Sequence, residues 1–348
     1  MRTNQARIVR VLVAAALAAG PVHLTGQTIS VDRATEYQQI DGFGGFSCIK
    51  TAQYKQGPFY IDAPMPPHYD TLAYDLGATL IRFELAPTFQ PSEGAAYTTG
   101  GSVFCGPDIN GNIAQMREFA QRGVTRFMFT VWSPPGWMKP AGVAACGTEG
   151  APSYGSTTCK LDVSRYDDFG RYVRDYLKMV EDSTGITPYA VSLQNEPRFT
   201  QPFNSCVYDA AHYRDVHKTA GPIIRAEFPN IQFYGTEDLF GWHLENWLGT
   251  LFQDATAKQY FDIVAGHYGD AGEYAGAWNV ARPQGRKVWG SEEYHDINDA
   301  TTVAGAVKQA ARINDALVSG HCSGWVIWVL AGMFDDNRQP HWTYYGCK

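Results

Sequence analysis

Charge is scarce in this chain. Asp, Glu, Lys and Arg make up 18% of its 348 residues, and 28 basic groups against 35 acidic ones leave a formal net charge of −7. A mildly acidic chain lacks the electrostatic footprint of a nucleic-acid protein or of one drawn to anionic membrane. Low charge together with 45% hydrophobic residues excludes a disordered chain. Seven cysteines occur, at Cys48, Cys105, Cys146, Cys159, Cys206, Cys322 and Cys347. None forms a CxxC pair or a Cys/His cluster with zinc spacing, so no structural metal is expected. No Gly-x-Gly-x-x-Gly opens a helix after a strand. Gly42-Phe43-Gly44-Gly45 is only a short glycine cluster, which leaves the dinucleotide-binding fingerprint unmet. Past residue 30 no apolar run reaches the length of a membrane span. Internal repeats are absent, and the one biased stretch is a Gly/Pro-rich loop from Pro140 to Thr158.

What the chain has in excess is aromatic: 9 Trp, 20 Tyr and 18 Phe. Such rings fill cores, and they also make the platforms on which the apolar faces of sugars stack. The length fits one large domain, or one domain with an accessory, and a chain near this size buries roughly three quarters of its unfolded surface.

Arg2, Arg7 and Arg10 precede the apolar run Val11 to Ala19, followed by Gly20-Pro21. Residues 1–26 therefore read as a secretory signal peptide, cleaved after Ala16-Leu17-Ala18 or nearer Gln27. An anchored or buried N-terminal helix is the alternative, although the run is too short for a permanent span. Export implies a secreted protein with no membrane contact after signal removal, and it makes disulfides available. Cys146 and Cys159 flank the Gly/Ser/Pro-rich loop and are the expected pair. The odd cysteine count leaves at least one thiol free or intermolecular.

Short apolar, β-rich runs recur at Ile40–Gly45, Thr79–Leu85, Thr125–Trp132, Pro188–Gln194, Ile231–Thr236, Ile263–His267, Lys287–Gly290 and Gly324–Leu330. Helical spacing of apolar residues fills gaps between them at Asp108–Arg122, Ser164–Ser183, Ala210–Glu227 and Thr301–Ser319. Several strand runs are continuous rather than alternating, as when both faces are covered. Eight strands with helices between them predict a parallel α/β fold, and at this length a (β/α)8 TIM barrel ahead of a doubly wound sheet.

A barrel places its chemistry at the C-terminal strand ends. The polar residues there are Arg82 and Glu84, Trp132 and Ser133, Asn195-Glu196-Pro197, Glu237-Asp238, His267-Tyr268, Ser291-Glu292-Glu293 and Trp328. Acidic groups close the fourth, fifth and seventh strands. Two facing carboxylates suit glycosidic bond cleavage: one protonates the leaving oxygen while the other stays ionised and attacks the anomeric carbon. No cofactor is needed by that chemistry, and no ligand set indicates a catalytic metal.

Tyr189-Ala190-Val191-Ser192-Leu193-Gln194-Asn195-Glu196-Pro197 closely resembles the strand-four motif of glycoside hydrolase family 30, within the clan of retaining barrel enzymes. Ile40 to Gly45, Trp132 to Lys139, Val288 to Glu292, and Gly324 to Trp328 resemble that family's segments on strands one, three, seven and eight, in order. The resemblance implies Glu196 as acid/base and Glu292 as nucleophile, with Arg82 and Tyr268 touching the nucleophile. Glu293 adjoins it, and strand alternation turns its side chain away. An ion pair with Glu84 is the competing role for Arg82. Asn195 is placed to meet a sugar 2-hydroxyl, and Trp132, Trp137 and Trp328 to form a stacking surface. Trp289 and Trp325 are expected in the wall. His267 is either a sugar ligand or a wall histidine, and Glu237 holds an outer subsite or a structural hydrogen bond.

Against the family pattern the chain is short. A last barrel helix and most of a β-sandwich are expected after strand eight, whereas the sequence stops at Lys348. Residues 27–39 read as a remnant N-terminal strand of that sandwich and 40–348 as the barrel, with an apolar groove expected between the first and seventh outer helices. The partner implied is a carbohydrate polymer. The segment Gln194–Tyr208 most resembles the xylan-active branch, so xylan or glucuronoxylan leads, with β-1,6-linked galactan or glucan and a glucosylceramidase-like substrate behind. Arg338 is the sole candidate after strand eight for a glucuronate contact. A catalytically silent carbohydrate-binding barrel and a secreted thiol hydrolase are the readings from other classes.

Overall fold

Eight parallel strands close into a barrel in chain order: β1 (Gly42–Phe46), β2 (Leu80–Leu85), β3 (Arg126–Val131), β4 (Ala190–Ser192), β5 (Gln232–Leu239), β6 (Ile263–His267), β7 (Lys287–Glu293) and β8 (Gly324–Ile327). The structure is a computed structural model that describes residues 30–47, 69–103, 108–146, 156–201, 203–240, 244–293, 302–328 and 330. Closure comes from β1 pairing with β8, Gly42 opposite Gly324 and Gly45 opposite Ile327. At Gly44 a Cβ would stand 1.8 Å from the Leu80 carbonyl oxygen. Only glycine lets β1 lie this close to β2.

Strand alternation sorts side chains into two environments. On β2, Ile81, Phe83 and Leu85 face outward into the large core beneath the helices, while Leu80 joins the interior cluster. That interior layer is Leu80, Met128, Ala190, Tyr234, Ile263, Ala265, Trp289 and Val326. Trp289 is fully buried there, as expected for a wall residue, and its indole nitrogen donates to Asp41 Oδ2 and Ser323 Oγ, each at 3.0 Å. Lys287 Nζ donates to the other Asp41 oxygen at 2.6 Å. This polar plug satisfies the buried groups at the end of the barrel away from the carboxylates.

The surrounding helices are α1 (Ile109–Gln121), α2 (Tyr166–Thr184), α3 (Ala210–Glu227), α4 (Leu244–Gln253), α5 (Ala271–Ala281) and α6 (Val303–Val318). On α2, Tyr166, Phe169, Val173, Tyr176, Leu177 and Val180 are buried along one stripe, and Gly185 ends the helix at φ 72°. The stripe at three- and four-residue spacing is what docks a helix on a sheet, and glycine accepts the left-handed cap without a Cβ clash. Asp108, Asp209 and Asp270 cap α1, α3 and α5 by accepting from backbone N–H groups in the first turn. The four helices predicted from spacing correspond to α1, α2, α3 and α6. α4 and α5 were not among them; α5 is built largely from Ala and Gly, so its apolar period is faint.

Cys146 and Cys159 form the expected disulfide, with Cα atoms 5.7 Å apart. Cys206 and Cys322 are buried free thiols.

Of the predicted N-terminal strand, residues 27–39, the described part from residue 30 holds a turn and no strand. Asp32 accepts from the Ala34 N–H at 2.9 Å and from Thr35 Oγ1 at 2.8 Å, closing that turn. An extended segment becomes a strand only beside a hydrogen-bonding neighbour, and among the described residues none pairs with it. On α6, the seventh outer position, Val303, Val307 and Val318 are exposed. The signal segment, Arg338 and the expected loss of a last helix fall outside the described residues. Among the described residues no helix is long and apolar enough to cross a membrane.

Candidate active site

Arg82 organises the C-terminal end of the barrel. Its side chain is fully buried, with Nη1 2.5 Å from Glu292 Oε2 and Nη2 2.6 Å from Asn195 Oδ1. Nη2 also lies 3.1 Å from Glu237 Oε1, and Nε donates to Thr130 Oγ1 at 2.9 Å. The Trp132 ring lies against the guanidinium, its centroid 4.6 Å from Cζ. A planar fork with fixed donors suits this many acceptors at once. Burial works against the charge, but Glu237 and Glu292 outweigh it. The alternative partner, Glu84, is engaged elsewhere: Asn204 Nδ2 donates to it at 2.7 Å.

Glu292 and Glu196 face one another over the barrel mouth. Tyr268 Oη donates to Glu292 Oε1 at 2.9 Å, so both oxygens of Glu292 are held, one by the phenol and one by Arg82. Burial and the charges of Glu292 and Glu196 push the Tyr268 phenol well up, which keeps it a donor. Glu196 is approached by His267 Nδ1 at 3.3 Å and by Gln201 Nε2 at 3.4 Å. One oxygen each from Glu196 and Glu292 and a ring nitrogen of His267 lie within 4.8 Å of one another. Glu293 turns outward, after a register shift in β7 between Gly290 and Glu293, accepting from Tyr274 Oη at 2.6 Å, and burial raises its carboxyl to about 8.

The strand exits are strained in register with the site. Glu196, Glu237 and Tyr268 have φ of 41°, 54° and 57°. Non-glycine residues in this region cost on the order of 1–3 kcal/mol each and persist where their surroundings over-determine them. Here the Glu196 N–H donates to the Glu237 carbonyl at 2.8 Å, and the Tyr268 N–H to the Glu292 carbonyl at 3.2 Å. Each of these exits is thereby tied to a neighbouring strand.

His267 and Glu237 are both wholly buried. His267 Nε2 lies 3.8 Å from Glu237 Oε1, and Nδ1 lies 3.9 Å from Glu292 Oε1. Burial alone would push the imidazole down, yet Glu292, Glu196 and Glu237 outweigh it and raise it to about 10. The same balance lowers Glu237: burial opposes its charge, and Arg82 and His267 prevail. Glu196, His267 and Glu292 have the donor types for a metal.

Trp132 and Trp328 gather with Phe46 at the mouth, Phe46 stacked on Trp328 at 4.6 Å and tilted to Trp132 at 5.3 Å. Trp137, expected in the same surface, is placed elsewhere. It lies in a short 3₁₀ turn, its indole donates to the Gln90 carbonyl at 3.1 Å, and Arg165 covers its ring. Glu237, expected at an outer subsite or in a structural hydrogen bond, takes an inner structural place beside Arg82. Sequence reading missed two groups. Gln201 touches Glu196. Arg198 is buried in a two-point ion pair with Asp238, Nη2 to Oδ1 at 3.0 Å, directly behind the Glu196-Pro197 turn. A basic residue two after the acid/base candidate, and an acidic one after Glu237, were the available signals.

No protein-family model matches the chain. It is similar to a Caenorhabditis elegans protein named for glucosylceramidase, 23% identical over 91% of the chain, and spans 63% of that relative's length. Among solved structures it resembles a glycoside hydrolase family 30 subfamily 8 xylanase from Clostridium acetobutylicum at a TM-score of 0.66 and 23% identity, over 90% of this chain and 72% of that one. It also resembles an endo-β-1,6-glucanase at 0.63 and 19%, over 90% and 71%. The barrel is the fold shared with these structures.

Proposed function

We propose that the chain is a secreted retaining β-glycoside hydrolase that cleaves a β-linked polysaccharide by double displacement, Glu196 serving as acid/base and Glu292 as nucleophile. The observation that carries this is that the two carboxylates face each other, one oxygen of each lying within 4.8 Å of the other. Retaining enzymes hold their carboxyl groups about 5–5.5 Å apart, whereas inverting ones leave about 6.5–9.5 Å for a water. Glu292 is held on both oxygens by donors, which fixes its aim. The partly exposed carboxyl of Glu196 faces it with Asn195, Trp132 and Trp328 at hand for the sugar.

In the first half-reaction Glu292 bonds the anomeric carbon, the glycosidic bond breaks, and the Glu196 proton goes to the leaving oxygen. In the second, Glu196 takes a proton from water as that water displaces Glu292. Xylan is the favoured substrate, supported by the xylanase likeness and by the Gln194–Tyr208 segment. A β-1,6-glucan follows, supported by the likeness to an endo-β-1,6-glucanase. Product analysis on xylan, glucuronoxylan, β-1,6-galactan and β-1,6-glucan tests the reading. Xylo-oligosaccharides released by wild type and not by Glu292→Ala support it; equal release by both removes it.

A further inference from the structure

Three carboxylates, a guanidinium and an imidazole share the floor of the site, one carboxylate more than double displacement uses. We propose that Glu237 is a positioning residue: it holds a proton on His267 so that the imidazolium is ready to receive the negative charge that grows on Glu196 as the leaving oxygen is protonated. The inference rests on the hydrolase reading above. Its basis is geometric. Glu237 has no solvent exposure, reaches Arg82 Nη2 at 3.1 Å, and lies 3.8 Å from His267 Nε2. The other nitrogen of the same ring stands 3.3 Å from Glu196 Oε1 and 3.9 Å from Glu292 Oε1. The groups facing His267 are thus Glu196 from the exit of β4, Glu237 from β5 and Glu292 from β7, with the Tyr268 ring edge-on at 5.8 Å.

A charge count shows what the third carboxylate does. With Glu196 protonated, Arg82 and His267 balance Glu237 and Glu292, and the cluster is neutral. When Glu292 bonds the anomeric carbon it loses its charge, and Glu196 gains one by giving its proton to the leaving oxygen. The sum stays at zero. Nδ1 stands 3.3 Å and 3.9 Å from the two reacting carboxylates, so the ring's positive charge faces whichever of them is ionised without the ring moving. Glu237, 3.8 Å from Nε2 and beyond hydrogen-bond reach, acts on the ring through its charge.

The test uses full-length protein labelled with 15N-histidine, His267 being assigned with His267→Gln. In wild type both ring nitrogens of His267 should carry protons at pH 8, and Glu237→Gln should lower its titration by about 1–3 units, as expected on losing an adjacent opposite charge. Kinetically, Glu237→Gln should slow a phenyl β-glycoside by about 10- to 100-fold, in the range of general-acid effects, and a 2,4-dinitrophenyl β-glycoside by no more than about twofold. The second substrate needs no acid help. A neutral His267 at pH 8 in wild type overturns the proposal, as does a protonated one unmoved in Glu237→Gln. Equal losses on both substrates also overturn it, because a purely structural role slows both. If Glu237→Gln does not fold, the wild-type titration alone decides. That titration needs no substrate: a charged His267 in a protein that cleaves no glycoside would overturn the hydrolase reading while leaving the Glu237–His267 pair standing.

Discussion

Arg82 reaches from β2 across the barrel to Glu292 on β7, Nη1 lying 2.5 Å from Oε2. The contact spans 210 residues of sequence and joins two elements that meet only because the sheet closes. It also ties stability to function, since the same guanidinium pairs with Glu237.

Arg82→Met should therefore strand two buried carboxylates. Removing one partner of a buried ion pair costs about 3–5 kcal/mol, and urea denaturation at pH 7 should show a loss of that size. Arg82→Lys should recover only part of it, because an ammonium cannot match the planar fork. A midpoint unchanged in Arg82→Met would count against the pairing.

Removing Glu196 should slow substrates with poor leaving groups by about 10²–10⁴-fold, the usual reach of general acid–base catalysis. For Glu196→Ala on a dinitrophenyl glycoside, azide should restore turnover and yield the β-glycosyl azide. An α-azide would mean that attack occurs directly on the substrate, without a glycosyl-enzyme.

Glu293 supplies a pH signature separate from the chemistry. Its folded value is raised to about 8 by burial, from 4.5. Between those limits the folded state binds the proton that the unfolded state has released, so stability falls as pH rises through that window. Relative to Glu293→Gln, wild type should lose up to about 1.4 kcal/mol per pH unit there. Urea midpoints for both proteins from pH 4.5 to 8 check the slope and its sign.

The Cys146–Cys159 disulfide closes a loop with a sequence separation of 13. Cys146→Ala with Cys159→Ala should lower the unfolding free energy by about 2–4 kcal/mol, read from urea melts against oxidised wild type. Trp328, stacked on Phe46 at the mouth, should act on binding instead. Trp328→Ala should raise KM about tenfold, equivalent to about 1.4 kcal/mol, with kcat affected less.

The barrel was legible because its strands are buried on both faces and read as continuous apolar runs, Leu80–Leu85 being buried at all six positions. Adjacent Glu292 and Glu293 do take opposite faces, but the register shift between Gly290 and Glu293 reverses the phase counted from interior Trp289, so alternation along the strand alone does not tell which of the two points inward. The Arg82–Glu237 contact was not legible, since nothing local marks two residues that meet by closure of the sheet. The same holds for Arg198 with Asp238. The N-terminal strand failed for a different reason: extended character in a sequence says nothing about whether a neighbouring strand exists to pair with it.

The most direct measurement is the anomeric form of the first product. Proton NMR during hydrolysis, begun before mutarotation sets in, should show the β-anomer of the new reducing end appearing first and the α-anomer growing later. An α-anomer that appears first would contradict double displacement by Glu196 and Glu292.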